Sequence, residues 1–449
     1  MTGSLVYRKA LWCLLAALSF SLVSCGSSLE FYRDVDADLS SGKYADAIRQ
    51  VRGNARSYED KSTVLYNLDL GLLYHYAGAF DSSIVHLSAA EREIEDLYTK
   101  SISLAAASLL LNDNVLHYEG EDFEKVLLNV FLALNYFGLN QPDEALVEVR
   151  KVDLKLREYA KQYEGKNRYQ DDAFIRYIAG VLYESGDEVN DAFISYRKAY
   201  DSYQLYEKAY GTKAPPWLLD DLVRTATLLS FDDEREEYVG LGGTPYTPSG
   251  RPQGTVLVVT YSGKGPVKEE AHPTVSVADN DGTIHTFQVA LPKFIPRLTG
   301  GRTYTVSVAR TADSLQVLHQ PAALAEDVTA IAARALDDRL TLVYLKSGGR
   351  ALLKFLAAEK AKKEIKKDDN VLTNVLGSVA VDAVVGATER ADLRGWRTLP
   401  AEIQLARFNV NPGEYTVQVT SSDGVLRDRG RTVTVAPGRA NIVMINDLR

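Results

Sequence analysis

One spacing recurs through the first half of the chain. Gly71, Tyr74, Ser83, Leu87 and Ala90 are separated by 3, 9, 4 and 3 residues. Ala133, Tyr136, Ala145, Val149 and Val152 repeat those steps, and so do Gly180, Tyr183, Ala192, Tyr196 and Ala199. Tyr44, Ala47 and Val51 fit the second part of an earlier unit. Steps of 3 and 4 keep side chains on one helical face, and a step of 9 leaves room for a turn, so the pattern predicts pairs of antiparallel helices. Breakers fall in that gap, at Ala77-Gly78, Asn140-Gln141-Pro142 and Ser185-Gly186-Asp187. Pro142 is the only proline between residues 26 and 214, which leaves the segment free to be helical.

The pattern resembles tetratricopeptide repeats over residues 30–230, with a generic α-solenoid as the alternative. In such repeats small residues let two helices approach while an aromatic fills the space beside them. Ser83 to Ala145 spans 62 residues and Ala145 to Ala192 spans 47. A regular array repeats every ~34 residues, so these units are degenerate, with longer or additional helices around Ile94–Asn112. The resemblance implies a curved surface that binds another protein. Tyr196, Tyr200, Tyr203, Tyr206 and Tyr210 recur at helical spacing. They suit either a peptide platform or, as the first expectation, the packed side of a last helix.

The start of the chain reads as an export signal. Arg8 and Lys9 precede an uncharged apolar stretch from Ala10 to Val23, fourteen residues and too short to be a confident membrane span. It ends in Leu22-Val23-Ser24-Cys25, which resembles the lipobox of bacterial lipoproteins. The resemblance implies cleavage before Cys25 and an anchor of acyl chains, palmitate among them, on that residue; an ordinary signal peptide is the alternative. Gly26 follows, where Asp is the retention signal of enterobacterial lipoproteins. The resemblance therefore implies an outer-membrane protein facing the periplasm, with the inner membrane as the less favoured site. Without residues 1–24 the chain has 49 basic and 60 acidic side chains, against −9 for the whole. That acidity argues against nucleic acid as a partner. Cys13 leaves with the signal and Cys25 is consumed by lipid, so no disulfide is expected within the mature chain.

The second half has a different character. A breaker run from Gly240 to Gly254 reads as a linker. Short apolar stretches follow at Val256–Tyr261, Thr274–Ala278, Ile284–Val289 and Tyr304–Val308, and again at Glu402–Phe408, Tyr415–Val419, Thr432–Val435 and Asn441–Ile445. Gly, Pro, Asn or Asp bounds each of them, as strands require. The strand, Pro412-Gly413 turn and strand around Phe408–Thr420, with its counterpart at Pro437-Gly438, resemble periplasmic modules of the immunoglobulin-like or transthyretin-like sandwich type. Asp279 to Gly282 lacks the later Glu of an EF-hand and reads as a hairpin turn. Val371 to Thr388, behind the basic run Lys360–Lys367, reads as a core helix, with contact to an anionic membrane as the alternative.

The expected organisation is a signal peptide (1–24), a lipidated tether (25–29), an all-α tetratricopeptide-like solenoid (30–238) and a linker (239–254). An α+β domain follows (255–449), with β-sandwich-like strands over 255–310 and 402–446 and a helical insert over 322–391. Ala391 to Pro400 packs charges of both signs around a tryptophan. Arg394, Arg397 and Trp396 are therefore candidate partner-binding residues with Tyr196, Tyr200 and Tyr203, although apolar neighbours suit Trp396 to a core position. Together with Tyr118–Glu124, this segment resembles a conserved bacterial lipoprotein family, a resemblance that implies architecture and no activity.

Chemistry is sparse. The six histidines, at 75, 86, 117, 272, 285 and 319, lack metal-ligand spacing. No phosphate loop or Gly-x-Ser-x-Gly elbow occurs, and Ser195-Tyr196-Arg197-Lys198 lacks the companions that a Ser-x-x-Lys enzyme needs. The expectation is a non-enzymatic, lipid-anchored envelope protein without cofactor or metal, acting as a scaffold or assembly factor for an envelope protein partner. The alternative is an envelope enzyme acting on peptidoglycan or another envelope polymer through the second half.

Overall fold

The computed structural model describes residues 31–58, 60–108, 116–162, 171–248, 252–278, 282, 284–297, 301–339 and 390–449. Cys25, the 360–367 basic run and 371–388 lie outside the described residues. The fold combines helices with mixed sheets and is α+β.

The helices come in consecutive pairs: α1 (Phe31–Ser40) with α2 (Tyr44–Gly53), α3 (Thr63–Tyr76) with α4 (Phe80–Ser108), and α5 (Asp122–Gly138) with α6 (Pro142–Gln162). Then α7 (Ala173–Ser185) pairs with α8 (Val189–Tyr210), and α9 (Leu218–Leu229) with α10 (Asp232–Gly240). Every pair turns the same way. Gly42, Gly78, Asn140, Asp187 and Ser230 all have positive φ, between 58° and 74°. The next residue then donates its N–H five residues back: Lys43 to Asp38, Ala79 to Tyr74, Gln141 to Tyr136, Glu188 to Tyr183 and Phe231 to Ala226, all at 2.8–2.9 Å. This hydrogen bond satisfies a carbonyl that the helix end would otherwise orphan. The shared turn extends the register to two pairs that spacing alone had not completed, because Val35 and Val223 stand where the central units carry Gly or Ala.

Close approach within a pair falls on the expected residues. A Cβ added to Gly71 would lie 2.5 Å from Leu87 Cδ2, and one on Gly180 would overlap the Tyr196 ring. Ala133, Ala145 and Ala192 are fully buried at the matching places. Gly180→Leu, Ala145→Leu and Ala192→Leu should each destabilise by ~1–3 kcal/mol or more, since neither helix can retreat without opening the pair. Thermal melts with all three at the wild-type midpoint would refute the register.

Among the described residues twelve strands follow. One four-stranded sheet has the order β12 (Ala440–Asp447), β1 (Gly254–Ser262), β9 (Glu402–Val410), β8 (Ala323–Asp327). The other runs β11 (Leu426–Val435), β10 (Gly413–Ser421), β6 (Tyr304–Arg310), β7 (Asp313–Pro321). Two hairpin ladders pair β2 (Val267–Ala271) with β5 (Leu291–Ile295) and β3 (Thr274–Ala278) with β4 (Ile284–Gln288). Residues 328–339 form a helix, α11, N-capped by Asp327, whose Oδ1 accepts from Ala330 N at 2.8 Å.

β1 is buried at all nine positions, which is why it reads as a continuous apolar run. Val256 and Val258 face the second sheet, in a core with Val306, Val308, Phe408, Val417 and Val443. Leu257, Val259 and Tyr261 face the other way and share a core with the helices. Strands before and after the expected insert thus belong to the same sheets. Three corrections concern boundaries. The insert expected to be helical from residue 322 begins with strand β8. Strands β2, β5 and β7 were not anticipated: Val-Lys-Glu-Glu-Ala alternates poorly, Pro292 interrupts β5, and β7 ends on Pro321. The breaker run does not simply tether two bodies, because Gly243 donates to Tyr238 O at 2.9 Å and closes α10.

Candidate functional site at the junction of helices and sheet

The face of the first sheet that meets the helices is where the polar chemistry of this chain concentrates. Four buried networks lie on it or beside it, two on β1 and β9 and two on the neighbouring loop 391–400, β2 and α11. Each ties a helix to a strand or loop of the second half.

Arg407 occupies the helix-facing side of β9, in line with Ile403 and Leu405, and its side chain is 2% exposed. Its guanidinium donates to Asp221 Oδ2 at 2.8 Å, Glu184 Oε2 at 2.9 Å, Tyr196 Oη at 3.0 Å and Tyr177 Oη at 3.1 Å. Arg224 binds the same two acids, at 2.6 Å from Asp221 Oδ1 and against Glu184. Burial pushes the Asp221 carboxyl up to about 6 even though Arg407 pulls it down. Arg224 falls to about 9 through burial and the charge of Arg407. Two cations and two acids thus neutralise one another inside the junction.

The second network centres on Asp69, fully buried in α3. Its carboxylate accepts from Tyr32 Oη at 2.6 Å, Tyr58 Oη at 2.8 Å and Thr398 Oγ1 at 2.9 Å. Burial outweighs these donors and raises its pKa to about 6. The fold therefore favours its protonated form. That stability is fully present below the ordinary value of 3.8 and is lost as pH rises through about 6. The Tm advantage of wild type over Asp69→Asn should accordingly grow as pH falls from 7 to 4; an unchanging difference would show that Asp69 keeps an ordinary pKa.

His75, at the end of α3, bridges to β1. Its Nε2 lies 2.8 Å from Tyr261 Oη and its Nδ1 lies 2.6 Å from Asn135 Oδ1. Burial lowers its pKa to about 4, so the ring is neutral at pH 7.

The fourth network unites the two segments that were singled out as unusual in the sequence. Glu124, buried in the first turn of α5, accepts from Tyr118 Oη at 2.5 Å and from Trp396 N at 2.8 Å. Glu121 binds Lys268 at 2.5 Å and also Arg339. Against the burial that would raise it, Lys268 and Arg339 hold Glu121 down to about 2.

Five of the expected partner-binding residues make contacts at this junction. Trp396 is 2% exposed, edge-on to Phe131 at 5.9 Å. Arg394 pairs with Asp392 at 2.8 Å, donates to Lys61 O and Leu116 O, and lies over the Tyr118 ring at 5.3 Å. Arg397 sits 4.6 Å from the Tyr32 ring centroid. Tyr196 and Tyr203 are fully buried, the latter donating to Ala325 O at 3.2 Å. Tyr200 is half-buried against Tyr238. Trp396, Tyr196 and Tyr203 are thus turned into the chain, against the partner-binding expectation, whereas Arg394, Arg397 and Tyr200 contact their own chain and stay partly exposed.

Arg407, Asp69, His75 and Glu124 were missed by sequence reasoning. The available signal was a charge inside an apolar run, as in Leu405-Ala-Arg-Phe408 and Leu68-Asp-Leu-Gly-Leu72. Among the described residues no group of three or more His, Cys, Asp or Glu is placed to hold a metal ion, and no helix is long and apolar enough to cross a membrane.

No family model and no curated relative matches the chain. Among solved structures it is similar to BtubC (BKLC) from P. vanneervenii at 14% identity and a TM-score of 0.32, over 48% of this chain and 81% of that one. A second is the Rap conjugation gene regulator of the plasmid pLS20 in complex with the Phr* peptide, at 14% identity and a TM-score of 0.29, over 46% of this chain and 50% of the other.

Proposed function

We propose that this protein is a non-enzymatic lipoprotein of the bacterial cell envelope, held by acyl chains on Cys25, that acts as a scaffold or assembly factor for another envelope protein. In this reading the helical half is a tetratricopeptide-like solenoid and the second half a β-sandwich-like domain with a helical insert. The junction carries the proposal. Arg407, Asp221, Glu124 and Asp69 bind groups of their own chain, which is the arrangement of a rigid body rather than of a reaction centre. The sheet covers one face of the helix pairs, so a partner would meet their outer helices or the outer face of the second sheet. The lipobox-like ending at Cys25 and the recurring helical spacing support the envelope and scaffold parts of the reading.

Two measurements test it. Cys25→Ser should abolish labelling by radioactive palmitate and release the protein from the outer-membrane fraction of a density gradient. Unaltered membrane association would sink the anchor. Crosslinking in intact cells, followed by purification of the lipidated protein, should return one recurrent envelope protein. Cleavage of purified peptidoglycan by the protein alone would sink the scaffold reading.

A further inference from the structure

Strand β7 closes one side of the second sheet, and among the described residues no strand pairs with its other edge. Which of its backbone groups lie open follows from the ladder. Ala322 donates its N–H to Tyr304 O at 2.8 Å, and the register continues as Val306↔Gln320 and Val308↔Leu318. In an antiparallel pair, hydrogen-bonded and non-hydrogen-bonded positions alternate. Gln320 and Leu318 therefore spend their N–H and C=O groups on β6. Val317 and His319 point theirs away from it, into the open.

Natural edge strands are usually blunted by Lys, Pro, inward charges or bulges. In β7 these devices stand at the ends, Asp313 with a register shift beside it and Pro321, while Ser314 to Gln320 between them has no Lys, Arg, Asp, Glu or Pro, in a chain of net charge −9 with 25% charged residues. Val317 is 39% exposed and Leu318 48%. An edge without charged side chains is the place where two copies of an acidic chain can meet without bringing like charges together.

We infer that β7 is a homodimer edge: two copies pair antiparallel through it, about a two-fold axis at Leu318, and join two sheets into one of eight strands. The axis is fixed by which groups are open. Residues facing across it must share a face of the sheet, and the hydrogen-bonded partners must both be outward-pointing. Centring on Leu318 sets Val317 opposite His319 of the second copy and His319 opposite its Val317, each pair exchanging two backbone hydrogen bonds, about four in all. Leu318 then meets its own copy, and this pair buries the side chain that the isolated sheet leaves half exposed. Asp313 falls beyond the partner strand's end, so no acid faces an acid. The inference concerns a surface that the scaffold reading does not assign, and it stands or falls separately from it.

The geometry makes a specific test. A non-hydrogen-bonded pair on the axis brings the two Cα atoms to ~4.5 Å, within disulfide range. The purified full chain carrying Leu318→Cys, oxidised mildly at micromolar concentration, should run mostly as a dimer on a non-reducing gel. Wild type, run beside it, controls for Cys13 and Cys25. Val317→Cys should crosslink much less, because its neighbour across the axis is His319. Adding Val317→Pro to Leu318→Cys removes only an outward N–H, which an edge strand tolerates, and should abolish the dimer. Val317→Lys, on the exposed side of the strand, should do the same with the fold intact by circular dichroism. Absence of dimer from Leu318→Cys would overturn the proposal. So would a dimer that survives both Val317 changes, or one formed equally by Val317→Cys.

Discussion

Trp396→Ala is expected to destabilise the protein by ~3–5 kcal/mol, measured by urea or thermal unfolding, with no loss of a partner contact that stability does not explain. The indole is 2% exposed and packs edge-on to Phe131 of α5, in the core that includes Leu399 and Tyr261. Truncation removes its dispersion contacts and leaves a cavity between helix and loop, which cannot collapse because Trp396 N is fixed to Glu124. An unshifted melt would take Trp396 out of the core and return residues 391–400 to the role of a partner site.

Arg407→Ala should cost a similar ~3–5 kcal/mol, for an electrostatic reason. Without it Asp221, whose side chain is 2% exposed, keeps only Arg224 as a cation, and Tyr177 and Tyr196 lose the donor they share. Asp221→Asn should be milder, because the amide can still bond to Tyr177. Combining the two should recover part of the loss, since removal of the acid relieves the uncompensated charge. Strict additivity in that double-mutant cycle would mean that Arg407 and Asp221 do not act as a pair.

Much of the helical half was legible because its rule is local. The steps of 3, 9, 4 and 3 mark three helix pairs, and the glycines at 71 and 180 sit where helices touch. The first and last pairs escaped the rule because Val35 and Val223 replace the small residue. What they retain is the left-handed turn at Gly42 and Ser230, a backbone property that several residue types can satisfy. Strand Thr274–Ala278 was read to the residue, being a Val-containing alternation between His272-Pro273 and a turn. β8, Ala-Leu-Ala-Glu-Asp, looks helical in isolation and is a strand because β9 offers it a ladder through a bulge at Ala325.

The junction was only half visible. Residues 118–124 and 391–400 stood out one at a time, but nothing local to either segment says that Trp396 N reaches Glu124 across 272 residues. The six partner-binding candidates were chosen as aromatic or cationic residues suited to a surface. The same residue types suit a desolvated contact inside one chain, and burial decides between the two uses.

β1 pairs in parallel with β12, Thr255 opposite Ala440 and Ser262 opposite Asp447. The first strand of the second half therefore waits for residues 440–447 to be made before this edge is filled. Helix pairs can close as soon as each emerges, since their contacts are local, whereas closing this ladder requires a loop of about 180 residues and comes late. Until then the part of the helix-side core that Met444 and Leu448 close stays open. A newly made chain thus passes through an interval in which an apolar surface of its helices is bare. Deletion of residues 440–449 would make that interval permanent and leave an aggregation-prone product.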